Sequence, residues 1–397
     1  MSSDARSRSA ARLLASLLAC LLASAAACGG GHDRSVTSVT LDQSSACLLP
    51  AGTVLLVAEA QDSAGIIPGQ TAIWESDAPS VATVDGTGVV TGVGAGTANI
   101  RATVDGVTSA PAVISVHPPP AGLLAYSALD GGSGRYQIRT VDLDGSGDSY
   151  VADGYQPRMS PDGSRMAFLR TSTGADIGPG DSLYDLDLTG TRTPAEETLY
   201  ANTTDYVWML SWTPDGTQVV YDWQNGLYRV AETGGSPSTI VAVSANDDCP
   251  DVNPAGDTVA FHDYTAGLLT VGLDGSGRGP VPGTIAGDVL PRWSPDGEWL
   301  SFSHLDAVSG KREPARIRPD GTGLGPLLPF SPDAHNYALG TSQPWTPDGA
   351  WILVLLVRGD AASETQGIWA LASDGSGCMV PVPATQASTA DDLGTVR

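Results

Sequence analysis

The sequence predicts an all-β protein that begins with a small two-sheet sandwich and continues as a six-bladed β-propeller. Three observations lead to this prediction. The 48 glycines and 28 prolines among the 397 residues fall between short apolar runs, as in chains built from many strands and tight turns. A proline-rich segment near residue 118 divides the chain, and a turn motif recurs five times after it. Recurrence at the length of one blade is typical of propellers.

The overall charge argues against one class of partner. The formal net charge is −24, and Lys311 is the only lysine. A surface of this sign repels phosphate backbones, so we expect no nucleic-acid binding.

Residues 1–28 are predicted to be an export signal. The stretch starts with three arginines and continues as an apolar run that is too short for a transmembrane helix. Its end, from Leu22 to Cys28, resembles a lipoprotein signal, in which small residues precede the cysteine that receives the lipid. The resemblance implies a lipid on Cys28, a flexible tether over 29–35 and a protein anchored in the cell envelope, on the periplasmic or cell-surface side of the outer membrane. Ordinary secretory cleavage is the alternative.

Residues 36–117 are predicted to form the sandwich. Six or seven short runs alternate apolar and polar residues here, and Trp74 has the bulk to fill the space between two sheets. The stretches 74–84 and 88–98 resemble the signature of the group 2 bacterial immunoglobulin-like domain. The resemblance implies an immunoglobulin-like envelope module that serves as a spacer or adhesion module and carries no chemistry.

A linker of residues 118–121 precedes the predicted propeller, residues 122–397. Consecutive prolines hold this joint extended. Five Pro-Asp-Gly or Pro-Ala-Gly turns follow, and their prolines are 53, 40, 41 and 52 residues apart. These prolines are Pro161, Pro214, Pro254, Pro295 and Pro347.

Each turn is expected to join an inner strand to an alternating second strand. The stretches 123–126 and 136–145 fit the second and third strands of a sixth blade that has no such turn. We therefore expect residues 391–396 to supply its inner strand and to close the ring, which removes an exposed edge. The repeats resemble the Pro-Asp-Gly repeat of the TolB C-terminal propeller. That resemblance implies the fold and leaves function open, because binding proteins, prolyl peptidases and polysaccharide lyases share the repeat.

The cysteines and the acidic loops carry less information. Cys47, Cys249 and Cys378 are far apart, which leaves buried free thiols or a bridge between Cys249 and Cys378 as alternatives. Four Asp-Gly turns follow third strands, and this recurrence favours hairpin turns over calcium binding. The loop 142–148 is the one calcium candidate, and it lacks the glutamate that ends a calcium loop.

The predicted binding surface is the mouth of the central channel. If the strand before each turn is innermost, Arg158, Asp251, Arg292 and Gln343 occupy equivalent places around it. Proline next to these residues fits an inner strand with an open edge. Mixed charges suit a peptide or a polar small ligand, and a solvated channel without a ligand is the alternative. Insertions at 171–182 and 330–340 are expected to shape a rim for a partner.

The leading hypothesis is a binding or scaffold lipoprotein whose propeller docks an envelope protein or peptide, with a glycan as a further partner class. No nucleophile elbow or catalytic domain is present in the sequence, so we expect no enzyme activity, cofactor or metal. The alternative is a metal-dependent carbohydrate-active propeller, similar to a polysaccharide lyase, that uses His262, His304 and His335 near Gln343.

Overall fold

The computed structural model describes residues 34–171, 181–190, 195–201, 206–242, 247–339, 342–360, 362–384 and 390–397. The predicted export signal with Cys28 and most of the tether lie outside these residues. Strands dominate the described part of the chain, and within it no helix has the length and apolar character needed to cross a bilayer.

The immunoglobulin-like domain consists of short strands in three hydrogen-bonded groups. Its strands are β1 (Ser38–Leu41), β2 (Ser45–Leu48), β3 (Thr53–Leu55), β4 (Ala58–Asp62), β5 (Gly65–Ile66), β6 (Ile73–Ser76), β7 (Ala82–Val84), β8 (Val89–Gly92), β9 (Gly96–Val104), β10 (Val107–Thr108) and β11 (Ala112–Val116). The groups are β1-β4-β5, β3-β8-β7, and β10-β9-β11-β2 with β6 added to β9. The structure has eleven strands in this domain, whereas the sequence predicted six or seven, because turns divide the longer alternating runs.

Trp74 lies where the prediction placed it. Its half-buried indole packs against both apolar clusters of this domain. Gly88 has φ +87°, and a Cβ atom there would lie 2.8 Å from the indole ring. The absence of a side chain at Gly88 therefore allows the indole of Trp74 to pack directly against the backbone of this turn.

Six blades follow and form the propeller. The first five have four strands each, and the sixth has three strands and a single inner bridge. The first three blades, written from the inner strand outward, are β35 (Ala390–Val396), β12 (Leu123–Leu129), β13 (Tyr136–Asp142) and β14 (Ser149–Asp153); β15 (Tyr155–Met159), β16 (Arg165–Thr171), β17 (Asp181–Asp187) and β18 (Glu196–Tyr200); and β19 (Leu210–Trp212), β20 (Gln218–Trp223), β21 (Gly226–Ala231) and β22 (Ser238–Val241). The next two are β23 (Asp247–Val252), β24 (Thr258–Asp263), β25 (Gly267–Gly272) and β26 (Gly279–Pro280); and β27 (Val289–Trp293), β28 (Leu300–Leu305), β29 (Arg312–Ile317) and β30 (Gly325–Pro326). The sixth contains β32 (Trp351–Asp360), β33 (Ser363–Ala372) and β34 (Met379–Val382).

The ring closes through the end of the chain. Strand β35 pairs antiparallel with β12, from Leu124 opposite Val396 to Ala128 opposite Ala390. The first blade therefore takes its inner strand from residues 390–396, which confirms the expected closure and covers an edge that would otherwise be exposed.

The recurrent turns have one geometry. Their five glycines have φ between 69° and 77°, a left-handed conformation that glycine adopts without strain. In the first turn, Asp162 accepts hydrogen bonds from Ser160 Oγ at 2.6 Å and from the Ser164 amide at 3.0 Å. In the third turn, Asn253 accepts from the amides of Asp257 and Thr258 instead, so Ala255 does not disturb the fold. The Asp-Gly turns after the third strands also form Asx turns, as at Asp144, whose carboxylate accepts the Ser146 amide.

Blades five and six are joined into one sheet. The short strand β31 (Tyr337–Ala338) pairs with β29 on one side and β32 on the other. The inner strand of blade six is reduced to a single bridge between Trp345 and Ile352. The insertion at 330–340 was expected to form a rim for a partner, and its described part instead links two blades. Most of the insertion at 171–182 lies outside the described residues.

A disulfide connects the two domains. Cys47 on β2 pairs with Cys378, with Cα atoms 5.4 Å apart. The alternative bridge between Cys249 and Cys378 is wrong. The other alternative, buried free thiols, holds for Cys249 and is wrong for Cys47 and Cys378. Next to the disulfide, Trp351 Nε1 donates to the carbonyl of Pro118 at 3.0 Å, and the ring of His117 lies 5.4 Å from that indole. The junction is therefore a packed and covalently linked contact.

Candidate binding sites on the propeller axis

Three inner strands contain the same backbone irregularity. Gln156, Cys249 and Leu290 have φ of 56°, 59° and 63°, and each precedes a proline. The pairing register shifts at each of these places. A bulge of this kind redirects the side chains that follow and accommodates a proline without a lost ladder bond. Left-handed non-glycine residues are strained and concentrate at functional sites.

The residue after each of these prolines takes part in a charged network on the axis. These residues are Arg158, Asp251 and Arg292. Arg292 Nη1 lies 2.9 Å from Asp251 Oδ1, and its Nε donates to Ser342 Oγ at 2.7 Å. Arg158 Nη1 lies 3.0 Å from Asp392 Oδ2. Both arginines also approach the sulfur of Met209. Arg158, Asp251 and Arg292 line one cavity, and Asp392 and Met209 line a second one.

The cavity on the side of the recurrent turns is called the turn-side funnel. It has a volume of about 340 Å³. Its wall contains the five turn prolines and three tryptophans, and its floor contains Arg158, Asp251 and Arg292. The tryptophans are Trp212, Trp293 and Trp345. The indoles of Trp212 and Trp345 are held in place by hydrogen bonds to the carbonyls of Arg158 and Arg292.

The structure brings together three of the four predicted channel residues. Arg158 is only 1% exposed and Arg292 is 6% exposed, so they form the buried floor and not the mouth. Burial lowers the pKa of Arg158 to about 10, and the positive charge of Arg292 acts in the same direction. Gln343 is separate: it is buried, it does not line the funnel, and its amide has no hydrogen-bond partner in the described part of the chain.

The cavity on the opposite side, called the far cavity, was not predicted. It has a volume of about 520 Å³. Several of its lining groups are buried without a hydrogen-bond partner among the described residues: both ring nitrogens of His262, Oε1 of Gln156 and Oδ1 of Asp392. Burial and the nearby Arg312 lower the pKa of His262 to about 3, so the imidazole is neutral. Neither Gln156 nor Asp392 belongs to a sequence motif, so only the closed ring reveals this site.

The three propeller histidines have different partners. His304 Nδ1 lies 2.8 Å from Asp288 Oδ1, which raises the pKa of the imidazole. His335 Nδ1 lies 2.6 Å from Glu364 Oε1 at the surface. Among the described residues, the group of His, Cys, Asp or Glu that comes within metal-ligand distance is Cys47, His117 and Cys378, whose sulfurs form the disulfide. The three histidines of the alternative hypothesis, His262, His304 and His335, are therefore not brought within metal-ligand distance of one another.

Comparison with known proteins agrees with both parts of the fold. Residues 35–114 match the family described as bacterial Ig-like domain (group 2). Among solved structures, TolB from Acinetobacter baumannii is similar over 79% of this chain and 81% of its own, with a TM-score of 0.56 and 13% identity. The putative TolB from Agrobacterium tumefaciens has a TM-score of 0.46 at 16% identity and covers 66% of this chain and 88% of its own.

An oligogalacturonate lyase in complex with manganese has a TM-score of 0.44 at 18% identity and covers 65% of this chain and 73% of its own. No curated protein matches the sequence. The family match over residues 35–114 and the likeness to the TolB of Acinetobacter baumannii agree with an immunoglobulin-like domain followed by a TolB-like propeller, and they define the fold alone.

Proposed function

We propose that this protein is an envelope binding module whose turn-side funnel docks a segment of a partner protein or a peptide. The observation that carries the proposal is the composition of the funnel. Five prolines and three tryptophans form a concave apolar wall above a floor whose charges already pair with one another. An apolar side chain can enter this wall without leaving a buried charge unpaired.

The floor adds specificity to the apolar wall. Asp251 is half-buried and accepts hydrogen bonds from Ser211 Oγ at 3.1 Å and from the Trp293 amide at 2.8 Å. Polar groups at the base of an apolar pocket favour ligands that match them, so the floor restricts which peptides fit. Binding without catalysis is the activity that this arrangement supports.

Export and anchoring belong to the same proposal. The sequence of residues 1–28 supports removal of a signal and attachment of lipid to Cys28. The immunoglobulin-like domain then acts as the spacer that holds the propeller away from the membrane. Replacement of Cys28 by alanine is expected to move the protein from the membrane fraction to the soluble fraction, and retention in the membrane would contradict the anchor.

The docking proposal is tested with one substitution pair in the same turn. Peptides selected from a displayed random library on the immobilised protein are measured by calorimetry against Pro254→Arg and Ala255→Arg. Pro254 lines the funnel, whereas Ala255 is exposed beside it and does not. We expect Pro254→Arg to weaken binding about tenfold or more and Ala255→Arg to leave it unchanged. Equal effects of the two substitutions, or selection of no binding peptide, would contradict the proposal.

A further inference from the structure

A second concave site lies between blades three and four, on the face away from the recurrent turns. It has a volume of about 370 Å³, within the range of sites for small organic molecules. We call it the aromatic-acidic pocket. Its lining residues are Tyr206, Trp208, Asp222, Trp223, Gln224, Asn225 and Asp248.

Aromatic rings form one side of the aromatic-acidic pocket. The rings of Tyr206 and Trp208 are stacked, with centroids 5.3 Å apart and planes 7° from parallel. Trp208 is 46% exposed, although it is a large apolar side chain. Trp223 adds a third ring, held by contacts with Tyr200 and Tyr228. These rings present electron-rich faces, which attract cations.

Two carboxylates form the other side, and one of them is fixed by the backbone. Asp222 is buried, and its carboxylate accepts hydrogen bonds from the amides of Trp208 at 2.6 Å, Met209 at 3.2 Å and Cys249 at 2.9 Å. These bonds tie the start of β19, the end of β20 and the middle of β23 to one another. The Asp222 carboxylate therefore has a structural role, because it satisfies three backbone amides.

The Asp248 carboxylate has no comparable structural role. It is 7% exposed, and within the described residues it has neither a hydrogen-bond partner nor an ion pair. The neighbouring Asp247 is different, because Arg278 Nη2 lies 2.8 Å from its carboxylate. No lysine, arginine or histidine is among the described residues that line the pocket. A nearly buried carboxylate without a counter-charge is costly, so its retention needs an explanation.

The geometry points to a binding site for a small organic ammonium ion, held between the carboxylate of Asp248 and the rings of Tyr206, Trp208 and Trp223. The positive charge of the ammonium group balances the Asp248 carboxylate, and its carbon substituents pack against the aromatic faces. A bare divalent metal ion fits less well, because the Asp222 carboxylate is already engaged by three backbone amides and the aromatic walls provide no ligand atoms. This inference does not depend on the turn-side funnel.

Ionisation of the two carboxylates is linked to occupation of the pocket by a cation. Burial, together with the nearby carboxylates of Asp222 and Asp247, raises the pKa of Asp248 to about 8. Burial also raises the pKa of Asp222 to about 6. A bound cation favours the ionised form of both groups and removes the repulsion between them.

The test compares a cation with a neutral molecule of the same shape. Choline and 3,3-dimethylbutan-1-ol are titrated separately into the full chain and followed by calorimetry. We expect choline to bind in the millimolar range or tighter, and at least about tenfold more tightly than the alcohol. Absence of choline binding, or equal binding of the two molecules, overturns the inference.

Three variants locate the bound choline. Asp248→Asn removes the charge and keeps the shape, Trp208→Leu removes the exposed ring, and Asp320→Asn is the matched control in an exposed turn. We expect each of the first two to weaken choline binding about tenfold or more and the control to leave it unchanged. If Asp248→Asn fails to fold, as judged by circular dichroism, a further variant, Tyr206→Leu, decides, because Tyr206 lines the aromatic-acidic pocket and Trp208 lines the far cavity as well. Unchanged affinity in the folded pocket variants shows that choline binds elsewhere and overturns the inference.

Discussion

Arg158 and Asp392 are 234 positions apart in the chain, yet Nη1 of the arginine lies 3.0 Å from Oδ2 of the carboxylate. Both side chains are 2% exposed. The pair joins the closing strand β35 to the inner strand of the next blade, and Thr395 Oγ1 accepts the Met159 amide beside it. The contacts that close the ring therefore also form part of the funnel floor.

Removal of one member of this pair should destabilise the fold strongly. Asp392→Asn leaves the Arg158 guanidinium buried without its counter-charge, and we expect a loss of about 3 kcal/mol in the free energy of unfolding. Urea unfolding followed by tryptophan fluorescence measures the loss. The matched control Asp320→Asn, in an exposed turn, should change the value by less than about 0.5 kcal/mol.

The double variant Arg158→Met with Asp392→Leu separates the pair from its surroundings. Because no charge is then left unpaired, we expect it to be more stable than either single variant. A double variant that loses the sum of the two single losses would show that the two residues do not act as a pair.

The disulfide between the domains predicts the thiol content. The chain from residue 34 onward contains Cys47, Cys249 and Cys378, and Cys249 is buried in the propeller. For a chain that starts at residue 34, without reductant, we expect no thiol to react in the native protein and one to react per chain after denaturation. Two or more reactive thiols, or a cross-linked peptide that contains Cys249, would contradict the assignment.

Loss of this disulfide should loosen the junction between the domains. Without it, the contact depends on Trp351, His117 and the carbonyl of Pro118. We expect Cys47→Ser to increase the rate of proteolytic cleavage at the bonds after Pro120 and Ala121 severalfold, because local opening of the linker becomes easier. Ser45→Ala, on the same strand and exposed, is the control. Equal cleavage rates in the two variants would show that the bridge does not hold the junction.

The buried Asp248 predicts a dependence of stability on pH. Its pKa is raised to about 8 in the folded protein, and the ordinary value is 3.8. The unfolded chain therefore loses this proton first, and the contribution of Asp248 to stability falls as the pH rises from about 4 to about 8. Asparagine cannot ionise, so we expect Asp248→Asn to raise the Tm relative to the wild type at about pH 8.5, with little change near pH 4. Scanning calorimetry at both values checks this, and a Tm difference independent of pH would refute it.

Much of the fold could be predicted because local chemistry determines it. A proline followed by Asp-Gly, or once by Ala-Gly, sets the backbone of a tight turn, so five turns could be counted without a structure. The closing strand could be placed because a sheet edge that lacks a partner is unfavourable. Trp74 could be placed because few residues have the bulk to span two sheets.

Other features depend on how distant parts of the chain meet. The Cys47–Cys378 bridge spans 331 residues and requires the docked arrangement of the two domains, which spacing alone does not reveal. The prediction that Gln343 occupies a position equivalent to those of Arg158 and Arg292 was wrong, because the inner strand of the sixth blade is reduced to one bridge. The unpaired groups of the far cavity and the aromatic-acidic pocket come from separate blades and follow no motif.

The most direct test of the account is hydrogen exchange of the full chain with and without a selected peptide. The proposed docking predicts slower exchange at the recurrent turns and at residues 394–397, which line the turn-side funnel, and no change in the immunoglobulin-like domain. Slower exchange confined to that domain, or to the outer strands of the blades, would contradict the proposal that the funnel is the binding site.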